Sequence, residues 1–262
     1  EGEWVLLNGN QTALMFVYYL ITRWKELGKI NGKEYIVKTI VTTETIKTIA
    51  ERNGVEMYDV YTGFKWIANV MRENEGKKNY IGGGEESYGF LCEDFVRDKD
   101  AVSACVILAE IAAWAKDQGL SLYQLLQKIY VEYGFSKEKG ISVVKKGKSG
   151  AEEIEAMMKK FRENPLTEIA GSKVTYFYDY STLKGKDYAE NETVTLDMPT
   201  TSNVLQYFTE DNTKVSIRPS GTEPKIKFYC EVHSKVKSID ELPEAEKAAE
   251  EKINQIKASL GI

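Results

Sequence analysis

Two rhythms follow one another along the 262 residues, and the change between them limits the architecture more than any other feature. In the first half, strand-like and helix-like stretches take turns. Tyr35–Val41, Val55–Tyr61 and Asn79–Ile81 read as strands, with Glu3–Leu7 a shorter candidate. Asn10 is placed to cap a helix from about Gln11 to Leu27, in which Leu14, Val17, Tyr18, Ile21 and Trp24 recur at three- and four-residue steps. Thr43 is placed to cap a short helix that stops at Asn53-Gly54. Phe64–Arg72, Ala101–Lys116 and Leu122–Tyr133 complete the helices. This alternation predicts a three-layer α/β domain with a mixed, largely parallel sheet.

The second half has another pattern. A strand at Ile141–Val144, a basic loop at Lys145–Gly150 and a helix at Ala151–Arg162 lead into a run of strands: Val174–Tyr180, Val194–Asp197, Val204–Thr209, Lys214–Ile217 and Ile226–Val232. A closing helix, Leu242–Leu260, puts Ala245, Ala249, Ile253, Ile256 and Leu260 on one face. The expectation is an α+β domain, an antiparallel sheet covered by helices. Turn-forming and charged residues cluster at Gly134–Gly140, so the division is drawn at 1–136 and 137–262.

Bulk properties narrow the function. Hydrophobic residues make up 42% of the chain and charged ones 29%, which suits a packed core. The net charge of −5 argues against a nucleic-acid partner. No apolar run approaches the ~20 residues of a membrane span. The start, Glu1-Gly2-Glu3-Trp4, lacks the basic opening of a signal peptide, so a cytoplasmic protein without a membrane partner is expected. Its lack of a Met suggests an excised fragment. Cys92, Cys105 and Cys230 have no CxxC spacing and read as free thiols, mostly buried. His233 is the sole histidine, which disfavours a Cys/His zinc site. Gly147-Lys148-Ser149 echoes a P-loop ending, but the first glycine that motif needs would fall at Ser142.

Two loops carry most of the chemistry. Arg218-Pro219-Ser220-Gly221-Thr222-Glu223-Pro224-Lys225 lies between strand patterns. Gly221 permits a positive φ that would let backbone N–H groups converge on an anion. Ser220 and Thr222 add hydroxyl donors, Arg218 a planar fork for phosphate oxygens, and Lys225 positive charge. An ordinary hairpin turn with exposed basic residues explains the same string equally well. Gly82-Gly83-Gly84-Glu85-Glu86-Ser87-Tyr88-Gly89 follows a short strand. Its glycines would admit a ligand, and Glu85, Glu86 and Ser87 suit vicinal sugar hydroxyls. Taken alone, it reads more simply as a solvated turn. Adjacent carboxylates do not supply the ~5–10 Å separation of glycoside hydrolysis. Lys65, in Thr62-Gly63-Phe64-Lys65-Trp66, sits at a helix start and would be an ordinary exposed lysine if nothing accompanied it.

Together these strings resemble one family. RPSGTEPKIKFY is similar to the phosphate-binding loop of the fourth domain of the phosphohexomutase superfamily, the phosphoglucomutases and phosphomannomutases. GEESYG resembles the sugar-binding loop of its third domain. Thr62–Trp66, Arg97–Ala101 and the opening Leu6–Thr12 resemble further third-domain segments, in family order. The resemblance implies that Arg218, Ser220, Gly221 and Thr222 hold the phosphate that is not reacting, with Lys225 a weaker assignment. It implies that Glu85, Glu86 and Ser87 grip the sugar, with Glu86 the sugar-facing carboxylate. Lys65 becomes the candidate catalytic group, for proton transfer or phosphate binding.

Neither the phosphoserine loop of the family's first domain nor the magnesium-binding DxDxDR loop of its second occurs in these residues. The resemblance therefore implies a C-terminal half without metal ligands of its own. In the intact enzyme, Mg2+ and a glucose 1,6-bisphosphate-type activator would serve the interconversion of hexose 1- and 6-phosphates, with domains 1 and 2 as partners of this half. The chain alone is expected to be inactive, because phosphoryl transfer depends on positioning and on charge stabilisation by the metal. A phosphopentomutase, a sugar-bisphosphate synthase and a non-catalytic sugar-phosphate-binding module remain the alternatives.

Overall fold

A computed structural model of the chain describes residues 4–145, 147–221 and 223–262, and only the backbone of Lys148. The chain forms two compact units. The first takes the described residues up to Phe135 together with Lys235–Ile239, and the second takes Ser136–Ser234 and Asp240–Ile262.

The first unit runs α1 (Gly9–Glu26), β1 (Glu34–Thr39), α2 (Thr45–Arg52), β2 (Glu56–Val60), α3 (Phe64–Asn74), β3 (Asn79–Gly84), β4 (Phe90–Cys92), α4 (Ala101–Asp117) and α5 (Leu122–Tyr133). The sheet order is β2-β1-β3-β4. β1 pairs in parallel with both β2 and β3, and β4 runs antiparallel to β3. The mixed α/β architecture expected from the alternation is present. α3 covers one face, where Tyr35, Val37 and Tyr80 of the sheet pack on Phe64, Ile67 and Met71. α1 covers the other: Gly82 pairs with Ile36 and faces Leu20. Every residue from Ala13 to Ile21 is buried, a belt wider than the periodic stripe predicts, because α2, α4 and α5 also pack on α1.

Local signals were misplaced at several ends. Residues 4–7 form no strand. Asn8, not Asn10, caps α1: its Oδ1 accepts the Gln11 N–H and Gln11 Oε1 accepts the Asn8 N–H, each at 2.9 Å. α2 starts at Thr45 with Glu44 at its N-cap position, and the Thr43 hydroxyl oxygen accepts the Thr45 N–H at 3.4 Å from one residue further out. The Thr43 N–H donates to Asn10 Oδ1 at 3.0 Å.

The second unit runs β5 (Phe135–Val144), α6 (Gly147–Glu163), β6 (Glu168–Ile169), β7 (Ser172–Asp179), β8 (Lys184–Asp187), β9 (Glu192–Thr195), β10 (Leu205–Thr209), β11 (Lys214–Pro219), β12 (Lys225–Ser234) and α7 (Leu242–Leu260). Its sheet is ordered β5-β12-β11-β10-β7-β8-β9, with β6 beside β7. The pairings β12–β11, β11–β10, β10–β7, β7–β8 and β8–β9 are antiparallel. α6 and α7 cover one face. Phe161 of α6 meets Phe228 edge-on at 6.3 Å, and Ala249, Ile253, Ile256 and Leu260 of α7 are buried. The apolar stripe of α7 is the predicted one, with Ala245 only half-buried.

Within Gly134–Gly140 only Gly134 takes a positive φ, and β5 starts at the next residue. The basic loop after β5 is short, because α6 already begins at Gly147. No helix among the described residues is long and apolar enough to cross a membrane.

Candidate functional site

In the first unit, segments far apart in sequence meet at the carboxyl ends of β1 and β3, the edge where open parallel sheets usually bind ligands. The glycines of β3 answer to neighbours within the protein. A Cβ on Gly83 would strike the Val37 carbonyl and lie 2.7 Å from Tyr80 Oη. One on Gly84 would lie 2.7 Å from the Gly89 carbonyl oxygen. Close packing against β1 and β4 accounts for both, so the reading of these glycines as room for a ligand is corrected.

Glu85 and Glu86 then part. Glu85 is 9% exposed, its N–H donates to the Gly89 carbonyl at 2.8 Å, and its Oε1 accepts the Gly63 N–H at 2.8 Å. Gly63 precedes α3, so this carboxylate satisfies a helix-start donor and complements the positive end of the helix. That contact ties the loop to the segment bearing Lys65. Glu86 is half-buried, and its Oε2 accepts from Thr39 Oγ1 at 3.3 Å. Ser87 and Tyr88 are exposed. Tyr88 adopts φ 73°, and its hydroxyl donates to the Leu7 carbonyl at 3.0 Å. Beneath the loop lies Gly9, where a Cβ would overlap the Glu86 carbonyl and sit 2.8 Å from Tyr88 N.

Lys65 is exposed on the first turn of α3, with Nζ 4.9 Å from the Trp66 ring centroid. It opens on a cavity of about 390 Å³ shared with Asn69, Arg72, Arg97 and Asp98. Three cations against one carboxylate make this cavity a basic spot on an acidic chain. Arg97 also pairs with Glu75 at 3.0 Å. Asp100 caps α4, accepting the Val102 and Ser103 N–H groups at 3.2 and 3.1 Å.

In the second unit, the loop between β11 and β12 closes on itself. The Ser220 N–H donates to the Lys225 carbonyl at 2.8 Å, and the Lys225 N–H to the Glu223 carbonyl at 2.7 Å. Gly221 does not take a positive φ, and a Cβ there would meet nothing within 4 Å. The expected nest, built on a left-handed Gly221, is therefore corrected: two of the N–H groups close the loop. Lys225 pairs with Glu223 at 2.5 Å and holds that carboxyl below its usual range. Among the described residues Arg218 makes no ion pair, and across the strand pair it faces Lys227. Thr222 lies outside the described residues. A groove of about 790 Å³ runs along α6 beside the loop, lined among others by Ile154, Met158, Arg162, Ser220, Gly221 and Lys225. Arg162 is braced by Asp179 at 3.0 Å and Asn203 at 2.8 Å.

Sequence reasoning missed Thr39, Gly9, Arg72 and Arg162, since each acquires its place only through tertiary contact. Among the described residues no group of three or more His, Cys, Asp or Glu side chains is placed to hold a metal ion. Cys92 and Cys230 are buried and Cys105 exposed, and burial pushes the two buried thiols up to about 12.

Comparison with known proteins agrees with this geometry. Residues 8–133 match the family model described as phosphoglucomutase/phosphomannomutase, alpha/beta/alpha domain III, and residues 142–249 match that of the C-terminal domain. A phosphoglucomutase of Staphylococcus aureus is 37% identical over 229 residues, covering 87% of this chain and 40% of that protein. One of Staphylococcus haemolyticus is 33% identical over 233 residues, covering 89% and 41%. The chain thus spans about two fifths of the length of these relatives. Among solved structures, the phosphoglucomutase pp63/parafusin of Paramecium shares the fold with a TM-score of 0.57 at 16% identity, over 96% of this chain and 42% of that one. A phosphoglucomutase/phosphomannomutase family protein of Burkholderia thailandensis does so with 0.57 at 15%, over 98% and 43%. With both family domains matched in order and the two characteristic loops in place, the chain belongs to the phosphoglucomutase/phosphomannomutase family, of which it carries domain III and the C-terminal domain.

Proposed function

We propose that this chain holds the substrate of a hexose-phosphate mutase that interconverts hexose 1- and 6-phosphates through a sugar bisphosphate. The phosphoserine and the magnesium ligands of that enzyme would lie outside these residues. Glu85, Glu86 and Ser87 take sugar hydroxyls, and Glu85 also ties their loop to the start of α3. Arg218, Ser220, Gly221, Thr222 and Lys225 take the phosphate that waits, with the Arg218 fork as principal contact. Lys65 faces the second phosphate or shuttles a proton, in a cavity whose other cations, Arg72 and Arg97, favour an anion. Magnesium would supply charge stabilisation at the transferring phosphoryl group. No cluster among the described residues fits it, so no step assigned here runs through the metal.

The observation that carries this reading is the placement of Glu85, Glu86 and Ser87 together at the ligand edge of the sheet, tied through Glu85 to the helix start that bears Lys65. Calorimetric titration of the 262-residue chain with glucose 1,6-bisphosphate tests it. Arg218→Ala should weaken binding by ~1.5–3 kcal/mol, the worth of a charge-assisted contact. Unchanged affinity sinks the assignment of the phosphate loop. In a coupled mutase assay the chain by itself should show no turnover.

A further inference from the structure

We propose that the cavity on the outer side of α3 is an anion site in which Arg72 and Arg97 together take a phosphate group, with Lys65 at its rim. It lies within the first unit and uses no residue of the phosphate loop, so it rests on its own geometry.

Lys65, Asn69 and Arg72 follow at steps of four and three residues and therefore share one face of α3. Arg97 comes from the segment between β4 and α4 and meets the same cavity of about 390 Å³. Each arginine is held in place by one neighbour. Arg72 Nη2 donates to Asn69 Oδ1 at 2.7 Å, and the Asn69 amide nitrogen donates to Glu73 Oε1 at 2.7 Å, which fixes the direction of the amide. Arg97 Nη2 is held by Glu75 Oε1 at 3.0 Å. Among the described residues neither guanidinium makes another hydrogen bond or ion pair, so most of its planar set of N–H donors stays open.

Charge decides what such a cavity takes. The one carboxylate in the lining, Asp98, is already occupied: its Oδ1 accepts the Lys99 N–H at 2.8 Å and lies 3.2 Å from Lys99 Nζ. Glu75 offsets part of the Arg97 charge from outside the lining. The remaining balance is positive, on a chain of net charge −5. Two guanidinium forks from different elements suit the several oxygens of a tetrahedral dianion. Helical rise sets Arg72 ~10 Å along α3 from Lys65. The arginine end is thus set back from the edge of the sheet where Lys65 stands, and the phosphate it takes is a separate one, either free phosphate or the head of a phosphate monoester.

Titrating the Arg218→Ala chain with inorganic phosphate, followed by NMR of the arginine side chains, reads this cavity without the principal contact of the loop. Saturable shifts at Arg72 and Arg97 are expected. Arg72→Gln and Arg97→Gln should each weaken binding roughly three- to tenfold, the low end for a charge-assisted contact because the site is exposed. Arg97→Lys, which keeps the charge and loses the fork, should fall between. Glu75→Gln keeps an acceptor for Arg97 and removes the competing charge, so binding should tighten about two- to threefold. A purely structural Arg97–Glu75 pair would not give opposite signs for its two members. Repeating the titration with glucose 6-phosphate separates the sources: shifts with both ligands make the site one for phosphate monoesters, and shifts with inorganic phosphate alone make it one for the free ion. Absence of saturable shifts at the two arginines, or unchanged affinity in both glutamine variants, overturns the site. Weakened binding in Lys65→Gln beside unweakened binding in the arginine variants places the anion at the start of α3 and overturns it as well.

Discussion

Gly9→Ala separates a local preference from a tertiary constraint, because the two predict opposite signs. Gly9 is the first residue of α1. Intrinsic helix propensity favours alanine over glycine by up to ~1 kcal/mol, so an isolated helix would gain from the change. In the folded unit the new Cβ would overlap the Glu86 carbonyl oxygen and lie 2.6 Å from its carbon. Ordinary carbon–carbon contact is ~3.5 Å, so the helix start and the loop must part by roughly 1 Å. The neighbours are backbone atoms, which cannot rotate aside as a side chain would. Overpacking of this kind costs ~1–3 kcal/mol, leaving a net loss of up to about 2 kcal/mol after the full propensity gain. For a unit of this size that is a fall of up to roughly 6 °C in melting temperature, read by calorimetry as the transition of the first unit. Affinity for glucose 1,6-bisphosphate should fall as well, since the displaced atoms belong to Glu86 and Tyr88. A melting temperature that is unchanged or higher would show that the loop does not rest on Gly9.

Other perturbations test separate parts of the molecule. Glu34 is buried, which by itself would raise its carboxyl pKa. The N–H groups of Asn31, Gly32 and Lys33 at 2.8, 2.9 and 3.1 Å and the Asn79 amide at 3.0 Å outweigh that and lower it. A depressed folded-state value gives stability above the unfolded pKa of ~4.3 that is lost as the pH falls through the folded value. The stability difference between wild type and Glu34→Gln in urea should therefore narrow on acidification below pH ~4.3; a constant gap refutes the linkage. Lys214 and Glu231 form a pair at 3.1 Å with both side chains almost fully buried. Lys214→Met should destabilise the second unit by up to ~3–5 kcal/mol, since it removes one side of a buried ion pair, and Lys214→Met with Glu231→Leu should recover part of the loss in chemical denaturation. Under native conditions a thiol reagent should label Cys105, whereas Cys92 and Cys230 should react only as their units open.

The fold was legible because alternation and burial coincide. β1 is buried along its whole length and is recognisable from Tyr35, Ile36 and Val37 at its centre, and the stripe on α7 needs only one sheet face to satisfy it. What was illegible was settled by pairing. β4 has three residues, and β8 is Lys184-Gly185-Lys186-Asp187, a sequence without strand propensity that is held between β7 and β9. The start of α1 was decidable: Asn8 and Gln11 stand at capping-box spacing, a stronger signal than an isolated Asn10. Thr43 was legible in part: its hydroxyl oxygen accepts the Thr45 N–H where α2 begins, while the bond from its N–H to Asn10, 33 residues away, carries no local signal. The contact between Thr39 and Glu86 spans 47 residues and follows from the register of β1 against β3, which no periodicity encodes.

The adjacent glutamates take partners on different elements. Glu85 meets the donor at the head of α3 and joins the loop to the segment that carries Lys65. Glu86 meets Thr39 at the end of the central strand. Replacing Glu85 by Gln keeps an acceptor for the Gly63 N–H and removes the charge that complements the helix start, so the loss in stability should be of the order of 0.3–1 kcal/mol. Replacing Glu86 by Gln should leave stability nearly unchanged. Calorimetric titration with glucose 1,6-bisphosphate then separates the two: the proposed sugar-binding role predicts weaker binding in either variant, and unchanged affinity in both would show that the loop does not hold the sugar.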